Sequence, residues 1–201
     1  QAGAAVNAEL VRANLEAIRA VAGPAVTIVA ATKYVQLEDM ALLEEGGVDA
    51  VGENRAQDLV AKHAAYGTVF RWHFIGHLQS NKVRVVNGIC ELVHSLDSDS
   101  AAARLTVPAL LEVNLSGEGS KSGIPPHEIG PFLARHPGVV YGLMTMPPLA
   151  DDAEASRPWF RRLRSLAEEH GLEQLSMGTS QDWRVAVEEG ATHIRVGSTL
   201  F

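Results

Sequence analysis

Eight short apolar segments, separated by stretches with helical spacing, constrain this chain more than any other feature. The first, residues 26–32, follows Gly23-Pro24 and is rich in β-branched side chains, the mark of a strand buried on both faces. Further strands are expected at residues 49–54, 72–76, 92–96, 109–114, 139–144, 174–177 and 192–196. Ahead of the first strand, Val11, Leu15, Ile18 and Ala22 share one face of a helix. Residues 37–45 read as a helix closed by Gly46-Gly47, 56–66 as one stopped at Gly67, and 81–86 as one stopped at Asn87-Gly88. Helices at 126–135 and 156–170 follow, the second with Trp159, Leu163 and Leu166 on its apolar face. Ser180 is placed to cap a last helix through Trp183 and Val187 to Gly190.

Strand and helix alternate without a linker or a low-complexity tract. That order predicts an α/β fold, a single (β/α)8 TIM barrel forming one domain over residues 1–201, with a doubly wound open sheet as the alternative. Eight repeats in 201 residues favour the barrel, as does a last strand able to close beside the first. One step is irregular. Only residues 98–107 separate strands four and five, with Pro108 at the start of the fifth, whereas a crossover with its helix usually takes about ten to twelve residues or more. Either that helix is degenerate or residues are missing there. Phe201 falls at the end of the eighth strand, which leaves the closing position to the first helix.

Composition narrows the classes. Hydrophobic residues are 46% and charged residues 20%, ordinary values for a globular protein. A net charge of −7 argues against general nucleic-acid binding but leaves room for a local anion pocket. Cys90 is the single cysteine, so neither an intrachain disulfide nor a cysteine-based zinc site is expected, in keeping with a cytoplasmic setting. No apolar run approaches the roughly 18 residues of a membrane span, and the first residues lack the features of a signal peptide. Among the eight histidines only His73 and His77 lie four apart, and they straddle Gly76 off any helix and need not share a face, so no metal is expected. Nothing signals oligomerisation, and a monomer is expected.

In a barrel, chemistry sits at the carboxyl ends of the strands. Lys33 ends the first apolar run, where the wall of the sheet opens. It reads either as a lysine reaching into solvent or as an amine able to form a Schiff base with a carbonyl compound. Asn54 ends strand two, His73 and His77 flank strand three, and Asn114 ends strand five. Two turns after the last strands, residues 176–180 (Ser176, Met177, Gly178, Thr179, Ser180) and 196–199 (Val196, Gly197, Ser198, Thr199), are small, glycine-bearing and rich in hydroxyls. Such turns hold phosphates in many barrels, although two polar turns with a helix cap would have the same composition. Arg195, between Ile194 and Val196, is buried by pattern and needs an acceptor. A structural ion pair with Glu53 and a bond to a ligand are both open. Lys82 and Lys121 read as surface charges, and Cys90 as packing.

The segments Ala31-Thr32-Lys33, Gly52-Glu53-Asn54-Arg55-Ala56-Gln57 and His73-Phe74-Ile75-Gly76-His77-Leu78-Gln79-Ser80-Asn81-Lys82 resemble the YggS/PROSC family of pyridoxal phosphate-binding proteins. So do Val113-Asn114, Lys121-Ser122-Gly123, Gly142-Leu143-Met144, Leu175-Ser176-Met177-Gly178 and Ile194-Arg195-Val196-Gly197, in order across nearly the whole chain. The resemblance implies a barrel like the N-terminal domain of alanine racemase, with pyridoxal 5'-phosphate as the cofactor, held as a Schiff base on Lys33. It places Arg195 at the pyridine nitrogen and Asn54 near the ring. Ser176, Gly197 and Ser198 would hold the phosphate, with Gly178 and Thr179 close by. It implies a role in vitamin B6 and amino-acid homeostasis without turnover, with pyridoxal phosphate-dependent apo-enzymes as partners. Departures from the family pattern are few. The segment after Ser98 is short, Ser198 stands where threonine is common, and Thr179 with Gln181-Asp182 replaces a frequent Met with Asp-Asp.

The residues agree with a binder. An arginine does not leave the pyridine nitrogen protonated as an aspartate does, so the ring becomes a weaker electron sink. Racemisation needs a second acid or base opposite the lysine. Tyr34, Tyr66 and Tyr141 are not obvious candidates, and the sequence is expected to supply no second domain after the barrel. A pyridoxal phosphate-dependent racemase or lyase is the alternative, and a cofactor-free Schiff-base or phosphate-sugar enzyme a third.

Overall fold

A computed structural model describes residues 5–119 and 121–201. Eight parallel strands close into a barrel in sequence order: β1 (Thr27–Ala31), β2 (Ala50–Glu53), β3 (Arg71–Phe74), β4 (Leu92–Leu96), β5 (Ala109–Glu112), β6 (Val140–Met144), β7 (Gln174–Ser176) and β8 (His193–Val196). Pairing of β1 with β8, Thr27 opposite His193 through Ala30 opposite Val196, completes the ring. The open-sheet alternative is thereby excluded. All residues of β2, β4 and β5 are buried, as expected of strands with helices on one side and a packed lumen on the other.

The outer ring is α1 (Ala8–Ala22), α2 (Met40–Glu45), α3 (Ala56–Tyr66), α4 (Val83–Ile89), α5 (Asp99–Ala102), α6 (Ile129–Arg135), α7 (Arg157–Glu169) and α8 (Trp183–Glu188). Asn7 caps α1 by accepting from Glu9 N and Leu10 N at 2.9 and 3.1 Å. Val11 and Ile18 of α1 are buried as its periodicity predicts, with Leu15 and Ala22 packed at the edge of the core. The four residues of α5, capped by Ser98, show the connection between β4 and β5 to be a degenerate crossover.

Five helices depart from expectation, α2 starting only at Met40 and α6 only at Ile129, after a 3-10 turn. The buried stripe of α7 is Phe160, Leu163 and Ala167, while Trp159 and Leu166 only flank the core. Spacings of three and four fit both stripes at Leu163, and the structure buries the one that contains Phe160. The α4 helix begins at Val83 after a 3-10 turn and runs to Ile89. The α8 helix begins at Trp183, and Ser180 is not its cap. Asp182 stands at the N-cap position without a side-chain cap bond, and its Oδ1 accepts instead from Thr179 N of the preceding turn at 2.8 Å.

The lumen is partly polar. Leu92, Leu110 and Met144 form a small apolar cluster of their own. Beside them His73 Nδ1 and His94 Nε2 lie 2.8 Å apart, and His94 Nδ1 lies 2.7 Å from Ser176 Oγ. The bond from β4 to β7 crosses the lumen, since those strands are not neighbours. His193 packs edge-on against His94 with centroids 5.5 Å apart. Burial holds His94 well below the ordinary histidine range, and it brings His193 down to about 4, so both rings stay neutral. At the far end His73 Nε2 lies 2.8 Å from Glu91 Oε1. Ionised Glu91 only accepts, which fixes one direction for the chain when His73 is neutral. His73 Nε2–H donates to Glu91, His94 Nε2–H donates to His73, and the Ser176 hydroxyl donates to His94. Cys90 packs below this layer, its thiol pushed up to about 12 by burial.

Candidate functional site

At the carboxyl ends of β1, β2 and β8 a cavity of about 710 Å³ opens to solvent. Lys33, Asn54, Thr179, Arg195, Gly197 and Ser198 line it, together with Tyr34, Ile75, Met146, Ser180, Thr199 and Phe201. Six of the eight residues singled out from the sequence thus meet at one mouth. Ser176 and Gly178 do not line it.

Lys33 lies in the turn two residues beyond β1 and is exposed. Its Nζ sits 4.9 Å from the centroid of the Tyr34 ring, which is 83% exposed. Asn54 follows β2, and its Oδ1 is buried with no hydrogen-bond partner among the described residues. The backbone there is pressed by Gly76. A Cβ on Gly76 would lie 2.1 Å from the Asn54 carbonyl oxygen, so the chain crossing requires glycine.

Arg195 projects from β8 and is 5% exposed. Its Nη2 donates to the Thr145 carbonyl at 3.1 Å, whereas its buried Nε has no partner among the described residues. The expected alternative, an ion pair with Glu53, does not form, because Glu53 is taken by Lys62 of α3. Burial lowers the Arg195 pKa to about 10, against the opposing pull of Glu112 and Asp182. The Glu112 carboxyl is raised, chiefly by burial and against the hydroxyl of Ser122, which donates to its Oε2 at 2.6 Å. Arg195 lines the cavity, and a buried guanidinium with an unused N–H is a donor in want of an acceptor.

The two hydroxyl- and glycine-bearing turns meet at Ser180. Its Oγ accepts from Gly197 N at 3.0 Å and Thr199 N at 3.2 Å, and it lies 3.2 Å from Thr199 Oγ1. Two backbone N–H groups converging on one oxygen form an anion nest, satisfied here by a side-chain hydroxyl. Thr179 forms part of the wall, but its N–H is committed to Asp182. Ser176, expected at a phosphate, is fully buried and bound to His94 in the lumen instead. Strand alternation is the cause: Ser176 points inward at the histidine layer, below the turn that reaches the mouth. Gly178 has φ of +100°, and a Cβ on it would lie 2.6 Å from Ala186 Cβ, so it shapes the β7–α8 turn from beneath.

Ser180 and Thr199 belong to the two hydroxyl-bearing turns of the sequence but do not stand out there individually. Ser180 precedes a helical stretch and so reads as its cap, because one sequence does not reveal which backbone N–H groups its hydroxyl meets.

Residues 6–201 match the family of the alanine racemase N-terminal domain. A pyridoxal phosphate homeostasis protein of Aquifex aeolicus is 39% identical over 194 residues, covering 87% of this chain and 85% of the relative. The chain belongs to the pyridoxal phosphate homeostasis protein family. A member from Deinococcus radiodurans is 39% identical over 189 residues, covering 88% of each. The structure of PipY from Synechococcus elongatus with PLP bound superposes with a TM-score of 0.88 at 31% identity, over 95% of this chain and 99% of that one. Alanine racemase from Corynebacterium glutamicum matches at a TM-score of 0.72 and 16% identity, over 98% of this chain and 61% of the enzyme, and so shares the fold. Among the described residues no helix is long and apolar enough to cross a membrane.

Proposed function

We propose that this chain is a single domain that binds pyridoxal 5'-phosphate and serves vitamin B6 and amino-acid homeostasis without turning over a substrate. One observation carries the reading: an amine, a buried guanidinium with an unused N–H, and two hydroxyl-bearing turns tied together through Ser180 line the same cavity. The cofactor is an aldehyde, a ring nitrogen acceptor and a phosphate in one molecule, and those three demands fit the three features in kind.

Lys33 supplies the amine for covalent attachment. Arg195 Nε–H donates to the ring nitrogen, and Asn54 lies against the ring. Gly197 and Ser198 hold the phosphate, joined by Ser180 and Thr199, with Thr179 in the wall, Gly178 setting the turn, and Ser176 supporting from below. When bound, the cofactor supplies an electron sink for carbanion chemistry, and an arginine partner weakens that sink. The tyrosines do not strengthen an enzymatic reading. Tyr66 Oη donates to the Leu37 carbonyl at 2.6 Å, Tyr141 is at the start of β6, and Tyr34 lies beside Lys33 rather than across from it. A cofactor held at an exposed lysine suits release to apo-enzymes, in a cytoplasmic protein acting as a monomer.

The test is absorbance with turnover. Protein reconstituted with pyridoxal phosphate should show the visible band of a lysine-bound cofactor, lost in Lys33→Ala. No D- or L-amino acid in a panel should be consumed. A chain that cannot be reconstituted would sink the cofactor reading, and steady turnover abolished by Lys33→Ala would replace the binder with an enzyme.

A further inference from the structure

Between β1, β2 and α3 lies a buried ion pair outside the cavity wall. Lys62 is 6% exposed and Glu53 fully buried. Lys62 Nζ donates to Glu53 Oε1 and, at 2.7 Å, to the Thr32 carbonyl. The Thr32 hydroxyl donates to the same carboxylate oxygen at 2.7 Å, and Thr32 N donates to the Gly52 carbonyl at 3.1 Å. Val35 N donates to the Thr32 carbonyl at 3.0 Å and closes the turn that contains Lys33. Thr32 immediately precedes Lys33, and Glu53 immediately precedes Asn54.

Holding α3 on the sheet does not require this arrangement. Leu59 of the same helix is already fully buried, and a well-packed apolar pair holds a helix at least as well as two desolvated charges. The pair is not even fully satisfied, since Glu53 Oε2 has no partner among the described residues. What apolar side chains cannot do is bond a carbonyl and a hydroxyl on one residue of a neighbouring strand. Meanwhile Lys33 is exposed, and its long side chain gains little guidance from packing.

We propose that Lys62 and Glu53 are positioning residues that clamp Thr32 and so fix the root from which Lys33 reaches the cavity. The inference rests on the cofactor reading above. In the attachment step Lys33 Nζ attacks the aldehyde carbon, a C=N bond forms, and the carbonyl oxygen leaves as water with the two amine protons. The clamp sets the trajectory of that attack and leaves the phosphate nest at β7 and β8 untouched. A misplaced root slows the covalent step while ring and phosphate still bind.

The experiment compares the wild-type chain with Lys62→Met and with the double variant Lys62→Met/Glu53→Leu. The single variant strands a buried carboxylate and loses thermal stability. The double variant removes both charges, and its melting temperature should recover towards wild type. Two readouts follow for each: the rate at which the lysine-bound band appears on mixing with pyridoxal phosphate, and the affinity for pyridoxamine phosphate, which lacks the aldehyde. In the double variant attachment should slow roughly tenfold or more, with pyridoxamine phosphate affinity unchanged. Attachment at the wild-type rate would overturn the proposal, as would an equal loss in both readouts, which marks a collapsed pocket. Failure of the wild-type chain to attach the cofactor at all, with pyridoxamine phosphate still bound or not, would overturn the parent reading and this one with it.

Discussion

Ser180 ties two turns from different strands together through one oxygen, and this gives it a larger effect on phosphate than its size suggests. Replacing it by alanine removes the oxygen on which Gly197 N and Thr199 N converge, and the nest opens. We expect pyridoxal phosphate to be held about tenfold less tightly by Ser180→Ala in equilibrium dialysis, a loss near 1.4 kcal/mol. Ser176→Ala should behave in the opposite way. Phosphate affinity should stay as it is, and unfolding free energy should fall by about 1–3 kcal/mol, because buried His94 Nδ1 loses its donor. An affinity loss in Ser176→Ala matching that of Ser180→Ala would return the phosphate contact to Ser176. At this scale residue identity was legible, since lysine, arginine and hydroxyl turns each carry a chemistry. Facing was not. Two serines four residues apart on a strand and its turn look alike until the backbone path sends one into the lumen and the other to the mouth.

At Gly142 and Gly76 the chain crosses neighbouring backbone so closely that only glycine fits. A Cβ on Gly142 of β6 would lie 2.1 Å from the Gln174 carbonyl oxygen of β7, and the contact at Gly76 is as tight against Asn54. Gly76→Ala should cost about 2 kcal/mol of stability, measured by urea unfolding. It should also weaken pyridoxal phosphate binding, since the displaced backbone carries Asn54. Wild-type stability and affinity together would show that this crossing does not position the site. Most elements were legible because apolar runs and helical stripes are strong signals, as Val11 and Ile18 in α1 show. The misread details have different causes. The rotation of α7 is set by the core against which Phe160 packs, whereas the late start of α8 follows a local turn in which Asp182 Oδ1 accepts from Thr179 N.

On the scale of the whole barrel, the histidine layer in the lumen, in which His94 and His193 stay neutral, ties stability to pH. No spacing rule foretold it, because His73, His94 and His193 come from three strands and meet only once the ring is closed. The unfolded chain takes up protons on these rings near the ordinary value of 6.5, whereas folded His193 resists until about 4. Above 6.5 neither state binds the proton, so nothing is lost. As pH falls below that point the unfolded state alone gains protons, and stability declines. His193 alone should remove about 3 kcal/mol by pH 4, and His94, lowered further by its complete burial, adds to the loss in the same direction. Urea unfolding between pH 7 and pH 4 should show this slope, reduced in His193→Asn. A flat profile would mean that the layer takes up protons while folded.

The closed barrel brings Lys33, Arg195 and the Gly197 turn to one mouth, and the account stands on Lys33 as the point of attachment. Borohydride reduction of the protein loaded with pyridoxal phosphate, followed by peptide mapping, tests this directly. The account predicts the label on the peptide containing Lys33 and its absence after Lys33→Ala. A label on another lysine, with the Lys33 peptide unmodified, would contradict it.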